Sequence, residues 1–286
     1  MAQITPQLVK ELRDKTGAGM GDCKNALTES NGDMQGAIEI LRKKGAASAA
    51  KRADRSANEG LVVTKISKDN KSAVIVEVNC ETDFVARNAE FERYVNEVAD
   101  ALLKNEAKTL DELMQLKAYS GTILDLHNDM LAKFSEKIGV RRFEKINTSG
   151  YLADYIHAGS RLAVLVETST DTINEKAHGL LRDIAMQIAA MNPSFVDRNE
   201  VSTDKIEKEK EIYKELAISE GKKEEIADRI ATGKLEKFFQ EQCLVEQTFV
   251  KDPAKTVLDV IKEISTHTGG DVKIKGFKRY FLGEEL

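Results

Sequence analysis

The hydrophobic period of this chain switches to two at Gly60, and the same two-residue pattern returns about 90 residues later. Leu61–Ser67 and Ser72–Glu81 are strand candidates joined by the turn-like Lys68-Asp69-Asn70-Lys71. Val74, Val76, Val78 and Cys80 share the face expected to meet the core. Asn88 can cap a following helix with Phe91, Val95, Val98 and Leu102 on its apolar side. In the second copy, Tyr151–His157 and Arg161–Thr168 flank a tight Ala158-Gly159-Ser160 turn. The helix after it carries Leu181, Ile184, Ile188 and Met191 as its stripe and ends near Pro193. Two copies of hairpin-then-helix predict an α+β fold of two similar halves, each an antiparallel sheet covered by helices on one side. Ile123, Leu126, Met130 and Phe134 outline another helix between them. Val257, Ile261 and Ile264 mark a last helix before a final strand, Asp271 to Leu282, that returns to the second sheet.

Upstream of Gly60 the period is helical. Thr5 can cap a first helix with Pro6 at its first position, and Ile4 and Val9 are spaced for a hydrophobic staple. Leu8, Val9 and Leu12 form its stripe, and Gly17, Gly19 and Gly21 break it. Met20, Cys23 and Leu27 form the next stripe, stopped by Asn31-Gly32. Asp33 caps a third helix with Met34, Ile38 and Leu41, and Gly45 is the expected terminator. Three helices of this size make a bundle that is marginal alone. Residues 42–55 then hold Arg42, Lys43, Lys44, Lys51, Arg52 and Arg55 against one acid, Asp54, and read either as a basic contact arm or as a solvated linker. Residues 198–237 differ in kind: 21 of these 40 residues are charged, in two helical runs separated near Glu220-Gly221. That composition predicts a protruding helical hairpin, solvated or self-associating.

Charge and motif content narrow the chemistry. Acids outnumber bases by 48 to 43, so a broad nucleic-acid footprint is disfavoured. Three widely spaced cysteines, Cys23, Cys80 and Cys243, fit neither a zinc or redox motif nor a secreted disulfide framework. No apolar run suits a membrane span, and the N-terminus lacks the look of a signal or transit peptide, so a cytoplasmic protein is expected. Phosphate-binding glycine loops, HExxH and GxSxG are absent, and His127, His157, His178 and His267 show no ligand spacing. Cys80 falls on the apolar strand face, where a core thiol is the expectation. One segment stands out. Thr82-Asp83-Phe84-Val85-Ala86-Arg87 places an aromatic residue and a valine in a connection too short to make its own core. Either Phe84 folds back onto the sheet edge or the segment carries function.

At these residues a family becomes recognisable. Leu8-Val-Lys-Glu-Leu-Arg-Asp-Lys-Thr-Gly-Ala-Gly-Met20-Gly-Asp-Cys-Lys-Asn-Ala-Leu27 and Val78-Asn-Cys-Glu-Thr-Asp-Phe-Val-Ala-Arg87 closely resemble segments of bacterial elongation factor Ts. Tyr155-Ile-His-Ala-Gly, Ile184-Ala-Met-Gln-Ile-Ala-Ala, Asn192-Pro and Pro253-Ala-Lys-Thr-Val fit as well, in order along nearly the whole chain. The resemblance implies a ubiquitin-associated-like three-helix domain and basic linker over 1–55. It further implies one core subdomain over 56–140, a second over 141–197 and 238–286, and an inserted hairpin over 198–237 that dimerises in some members. It implies no reaction chemistry, cofactor or metal. The implied activity is guanine nucleotide exchange on elongation factor Tu in the bacterial cytoplasm, releasing GDP so that GTP can bind, with no direct nucleic-acid or membrane contact.

Carried over by position, Thr82, Asp83, Phe84 and Val85 match the segment that enters the partner's GTPase domain beside its magnesium site, with Phe84 as a wedge and Asp83 as a polar contact. Arg13 and Met20 match contacts on the N-terminal domain, and His157 matches one nearer the partner's phosphate loop and β-barrel. Gly21 stands where some relatives carry a second Met, and Phe134-Ser135 where relatives commonly have Ile-Gly. Longer relatives also add a helical C-terminal module beyond the final strand; this chain stops at Leu286, soon after it.

Overall fold

Residues 4–50, 52 and 54–285 are described by the structure, a computed structural model; Lys51 of the basic stretch and the residues at the extreme termini lie outside the described residues. Thr5 caps helix α1 (Pro6–Thr16), its hydroxyl accepting from the Leu8 amide at 3.2 Å. Helix α2 (Met20–Glu29) buries Cys23 and Leu27, whereas Met20 at its first turn is exposed. Asp33 accepts from the Gly36 amide at 2.7 Å and starts helix α3 (Met34–Ala50). Ile4, Val9, Leu12, Leu27 and Leu41 form the common core of these three helices.

Strands β1 (Glu59–Ile66) and β2 (Ser72–Cys80) pair as the expected hairpin. The chain then runs through α4 (Asp83–Ala86), α5 (Ala89–Lys104), α6 (Leu110–Met114) and α7 (Ile123–Lys133) to strand β3 (Gly139–Asn147). All three strands form one antiparallel sheet in the order β1-β2-β3. The expected subdomain boundary at 140/141 falls inside β3, which pairs along β2 from Ser72 opposite Asn147 to Asn79 opposite Gly139. An edge strand rich in Arg and Lys shows little apolar alternation, which is how exposed edges are kept from pairing with other chains.

Gly45 does not end α3, which continues to Ala50. Glycine is needed there for close approach: a Cβ at Gly45 would lie 3.0 Å from the backbone nitrogen of Ala132 in α7. Arg42 forks Asp129 of α7, with Nε and Nη2 donating at 2.6 and 2.9 Å. Lys44 pairs with Asp22 at 2.6 Å. Arg42 therefore docks the bundle on α7, whereas Lys44 pairs within the bundle, between α3 and α2.

The second half repeats the plan. Strands β4 (Tyr151–Ile156), β5 (Leu162–Thr168) and β6 (Ile274–Phe281) form an antiparallel sheet in that order. Helices α8 (Glu175–Met191), α9 (Thr203–Ser219), α10 (Glu224–Gln242) and α11 (Val257–Thr268) lie between β5 and β6. Leu181, Ile184 and Ile188 of α8 pack with Val257, Ile261 and Ile264 of α11 over the sheet, while Met191 is exposed at the end of its helix. The charged run forms the α9–α10 hairpin, turning at Gly221, and α10 continues past 237 to Gln242.

Helices cover only one face of each sheet. The other faces meet: Val62, Ala73 and Ile75 pack against Leu152, Ala163, Leu165 and Tyr280. Thr64 Oγ1 donates to the carboxylate of Asp154, the residue 90 positions later. The Val62 amide donates to the Ser160 carbonyl at 2.7 Å, and the Leu152 amide to the Asn70 carbonyl at 2.9 Å. Each hairpin turn thus docks on the first strand of the other half, so the repeat seen in the sequence is an approximate twofold in space.

Candidate functional site

Strand β2 ends where Cys80 points into the core and its Sγ donates to the Thr82 carbonyl at 3.2 Å. Thr82 is extended, and its hydroxyl accepts from the Val85 amide at 3.4 Å, capping α4. The segment expected as a short connection holds one helical turn, Asp83–Ala86. Asn88 then caps α5, accepting from the Glu90 amide at 2.9 Å. A hydroxyl cap is enough to set such a turn because it satisfies an amide that has no intrahelical partner.

This turn separates two environments. Val85 and Ala86 sink into the core beside Cys80, whereas Phe84 just before them is 83% exposed. Phe84 does not fold back onto the sheet edge; it projects into solvent. Asp83 lies on the outer side with it and pairs with Arg87 at 3.2 Å. The Val85 side chain is an anchor, and that of Thr82 is engaged inside the protein.

Thr82 is held from across the sheet. Glu136, three residues before β3, accepts from the Glu81 amide at 3.2 Å and the Thr82 amide at 3.0 Å through Oε2. Its Oε1 accepts from the Thr82 hydroxyl at 2.6 Å. Glu81 answers by accepting from the Lys137 amide at 2.6 Å, and that bond, with Arg55 nearby, holds its carboxyl below the usual carboxylate range. The linker joins the same cluster: Arg52 donates to the Glu136 carbonyl at 3.4 Å, and Lys137 Nζ donates to the Arg55 carbonyl at 2.9 Å. Glu136 lies 54 positions from Thr82 and becomes its neighbour only through the β2–β3 pairing. Nothing in its polar surroundings marks it in the sequence.

The other expected contact residues are all exposed, at two places. Arg13 and Met20 stand on either side of the Gly17–Gly19 break. Ala18 and Asp22 from that region share a crevice with Arg52 and Ser135, so the break lies next to the segment bearing Glu136. Space is open around Gly21, and Phe134 is partly buried against the core. His157 is on the β4–β5 turn, with Nδ1 2.9 Å from the Tyr155 hydroxyl. The following Arg161 pairs with Glu59, which stands opposite Cys80 in the β1–β2 register. The turn bearing His157 and the turn bearing Phe84 therefore occupy the same end of the two packed sheets.

Burial pushes the Cys80 thiol up to about 12, which leaves essentially no thiolate at neutral pH. Among the described residues, no three His, Cys, Asp or Glu side chains gather as a metal site, and no helix is long and apolar enough to cross a membrane.

Known proteins are similar to this chain in sequence. The family model for elongation factor Ts matches residues 81–284. The chain is 49% identical over 288 residues to the elongation factor Ts of Prosthecochloris aestuarii, covering 99% of this chain and 100% of that one. It is 46% identical over 287 residues to that of Clostridium kluyveri, covering 99% and 94%. With that of Chloroherpeton thalassium it is 45% identical over 293 residues, covering 100% of both chains. The family match takes in the capped turn at Thr82, the second sheet and the inserted hairpin, and the relatives extend it through the N-terminal helices: the chain belongs to the elongation factor Ts family of translation elongation factors.

Proposed function

We propose that this protein is the guanine nucleotide exchange factor of elongation factor Tu, and that it works by binding rather than by bond-making chemistry. The observation that carries the reading is a bulky aromatic side chain, Phe84, 83% exposed on a turn that the core and Glu136 hold in place. An apolar residue presented this way costs its own chain nothing to remove from water on a partner. In the proposed complex Phe84 wedges into the GTPase domain beside its magnesium and phosphate site, with Asp83 as the adjoining polar contact. Thr82 and Val85 set the turn. Arg13, Met20 and His157 supply docking contacts.

The energetics suit such a division. Factor and GDP must weaken each other equally, because binding coupling is reciprocal. Each tenfold requires about 1.4 kcal/mol. Burying one Phe side chain yields roughly 1.5–3 kcal/mol, so Phe84 accounts for about one or two decades. Displacing the magnesium ion adds leverage, since it is often the largest local charge beside a phosphate. The hairpin α9–α10 carries exposed Ile212, Leu216 and Ile226, through which a second copy of the chain would pair; sedimentation at graded concentrations tests that part.

Stopped-flow release of a fluorescent GDP analogue from elongation factor Tu tests the exchange reading. Catalytic amounts of the protein should accelerate release, and excess Mg²⁺ should reduce the acceleration. Phe84→Ala should slow release while leaving complex formation measurable. No acceleration by the unaltered protein, with active partner, would refute the exchange role.

A further inference from the structure

We infer that Glu136 is the positioning residue for exchange: its carboxylate fixes the turn that presents Phe84. The inference rests on the exchange reading above and assigns a role to a residue that makes no projection of its own. Glu136 is partly buried, and both of its oxygens are committed to residues 81 and 82. Oε2 takes two consecutive amides, at 3.2 and 3.0 Å, and Oε1 takes the Thr82 hydroxyl at 2.6 Å. The geometry matters because of what Thr82 does next. By donating its hydroxyl hydrogen to Glu136, Thr82 leaves an oxygen lone pair for the Val85 amide, which sets the first turn of α4. One carboxylate therefore orients the cap, and the cap orients Phe84 two residues on.

The same turn lacks other support on its outer side. Helix α4 has four residues, Phe84 makes no core contact, and the Asp83–Arg87 pair lies within the segment. Inner anchoring comes from Val85 and Ala86. A short helix cannot hold itself, because its nucleus fixes several dihedrals for few hydrogen bonds. With Glu136 removed, the chain at Glu81 and Thr82 loses three acceptor contacts while Val85 stays in the core. The turn then samples other orientations of Phe84. Release depends on the fraction of molecules in the competent orientation, so a fall of that fraction to about one tenth slows release about tenfold.

The experiment is a double-mutant cycle on full-length protein, reading the saturating rate of GDP-analogue release and the half-saturating concentration of the factor. Glu136→Ala should lower the saturating rate about tenfold, with the half-saturating concentration changed less than about threefold. In a Phe84→Ala background the same substitution should cost less than about twofold, because both act through one side chain. Glu136→Gln should recover most of the rate, since its carbonyl can serve the two amides and its NH₂ can donate to the Thr82 hydroxyl. Circular dichroism melts establish that each variant is folded, and Glu136→Gln keeps the cycle readable if the alanine variant is not. Equal losses with and without Phe84, or a loss confined to the half-saturating concentration, would overturn the positioning role. Unaltered release by Phe84→Ala would instead remove the wedge itself, and this inference with it.

Discussion

Phe84 and Val85 are consecutive residues in opposite environments: Phe84 is 83% exposed, and Val85, 7% exposed, packs in the core with Cys80. Function and stability should therefore separate between neighbours. Phe84→Ala removes no core contact and should change unfolding free energy by less than about 0.5 kcal/mol. Val85→Ala deletes two buried methyl groups and should cost about 2 kcal/mol. Urea unfolding of the two variants, run beside the release assay, checks this. A stability loss at Phe84 as large as that at Val85 would mean that Phe84 packs on its own chain in solution.

What could be read in the sequence followed from regular spacing of apolar residues. The β1–β2 and β4–β5 hairpins stood out because alternate residues such as Val74, Val76 and Val78 had to face helices. Strand β3 did not, since Arg141, Arg142 and Lys145 occupy an edge where only part of each side chain is covered. Missing β3 also hid Glu136, whose nearness to Thr82 exists only through strand pairing. Gly45 misled for a related reason. A glycine that ends a helix and a glycine that admits a neighbouring helix look alike until Ala132 is known to lie against it. Packing of the two sheets was likewise not read, because Ile75 lies on the face opposite the one assigned to the core and meets Leu165 only where the two sheets pack.

Glu77 carries the second prediction. It is fully buried, and its carboxylate accepts from Arg142 Nε at 2.7 Å, the Gly283 amide at 2.9 Å and Asn79 Nδ2 at 3.2 Å. The Arg142 guanidinium also lies 4.0 Å above the Tyr280 ring. Glu77→Ala would leave that cation largely covered and remove the Gly283 amide's acceptor, one of the ties between the segment after β6 and the first sheet. Arg142 keeps its bond to the Phe281 carbonyl at 3.0 Å, so a loss of about 3 kcal/mol is expected, at the low end for a broken buried pair. Denaturant unfolding measures it, and hydrogen exchange should show the amides near Gly283 losing protection first.

Gly45 gives the third. Any side chain there meets the α7 backbone: a Cβ would stand 3.0 and 3.1 Å from Ala132 N and Cα. Gly45→Leu should push α3 away from α7 and strain the Arg42–Asp129 fork, at a cost of about 1–3 kcal/mol. Helix propensity works the other way, favouring leucine over glycine by somewhat under about 1 kcal/mol, so α3 itself should stay helical within the protein. The expected result is an unchanged helical signal, faster amide exchange in α3 and α7, and easier proteolytic cleavage between the bundle and β1.

His127 supplies a prediction about pH. Its Nδ1 lies 2.9 Å from the hydroxyl of Tyr94, which is 2% exposed, and burial pushes the imidazole pKa down to about 4 from 6.5. The folded protein therefore resists protonation that the unfolded chain accepts. Above pH 6.5 both states are neutral at this position and the full contribution is present. As pH falls from there towards 4, the unfolded state takes up a proton first, and stability is lost until the folded pKa is passed. The shift corresponds to at most about 3 kcal/mol, less for the ring edge that still reaches solvent. Urea unfolding at pH 7 and pH 5.5 should show a drop that His127→Gln diminishes, because glutamine cannot titrate yet can still bond the Tyr94 hydroxyl. The upper part of the window is the informative part, since Asp and Glu titrate mainly below it. An equal drop in both proteins over that interval would mean that His127 is protonated as readily in the folded state as in the unfolded one, and that its contact with Tyr94 opens to water.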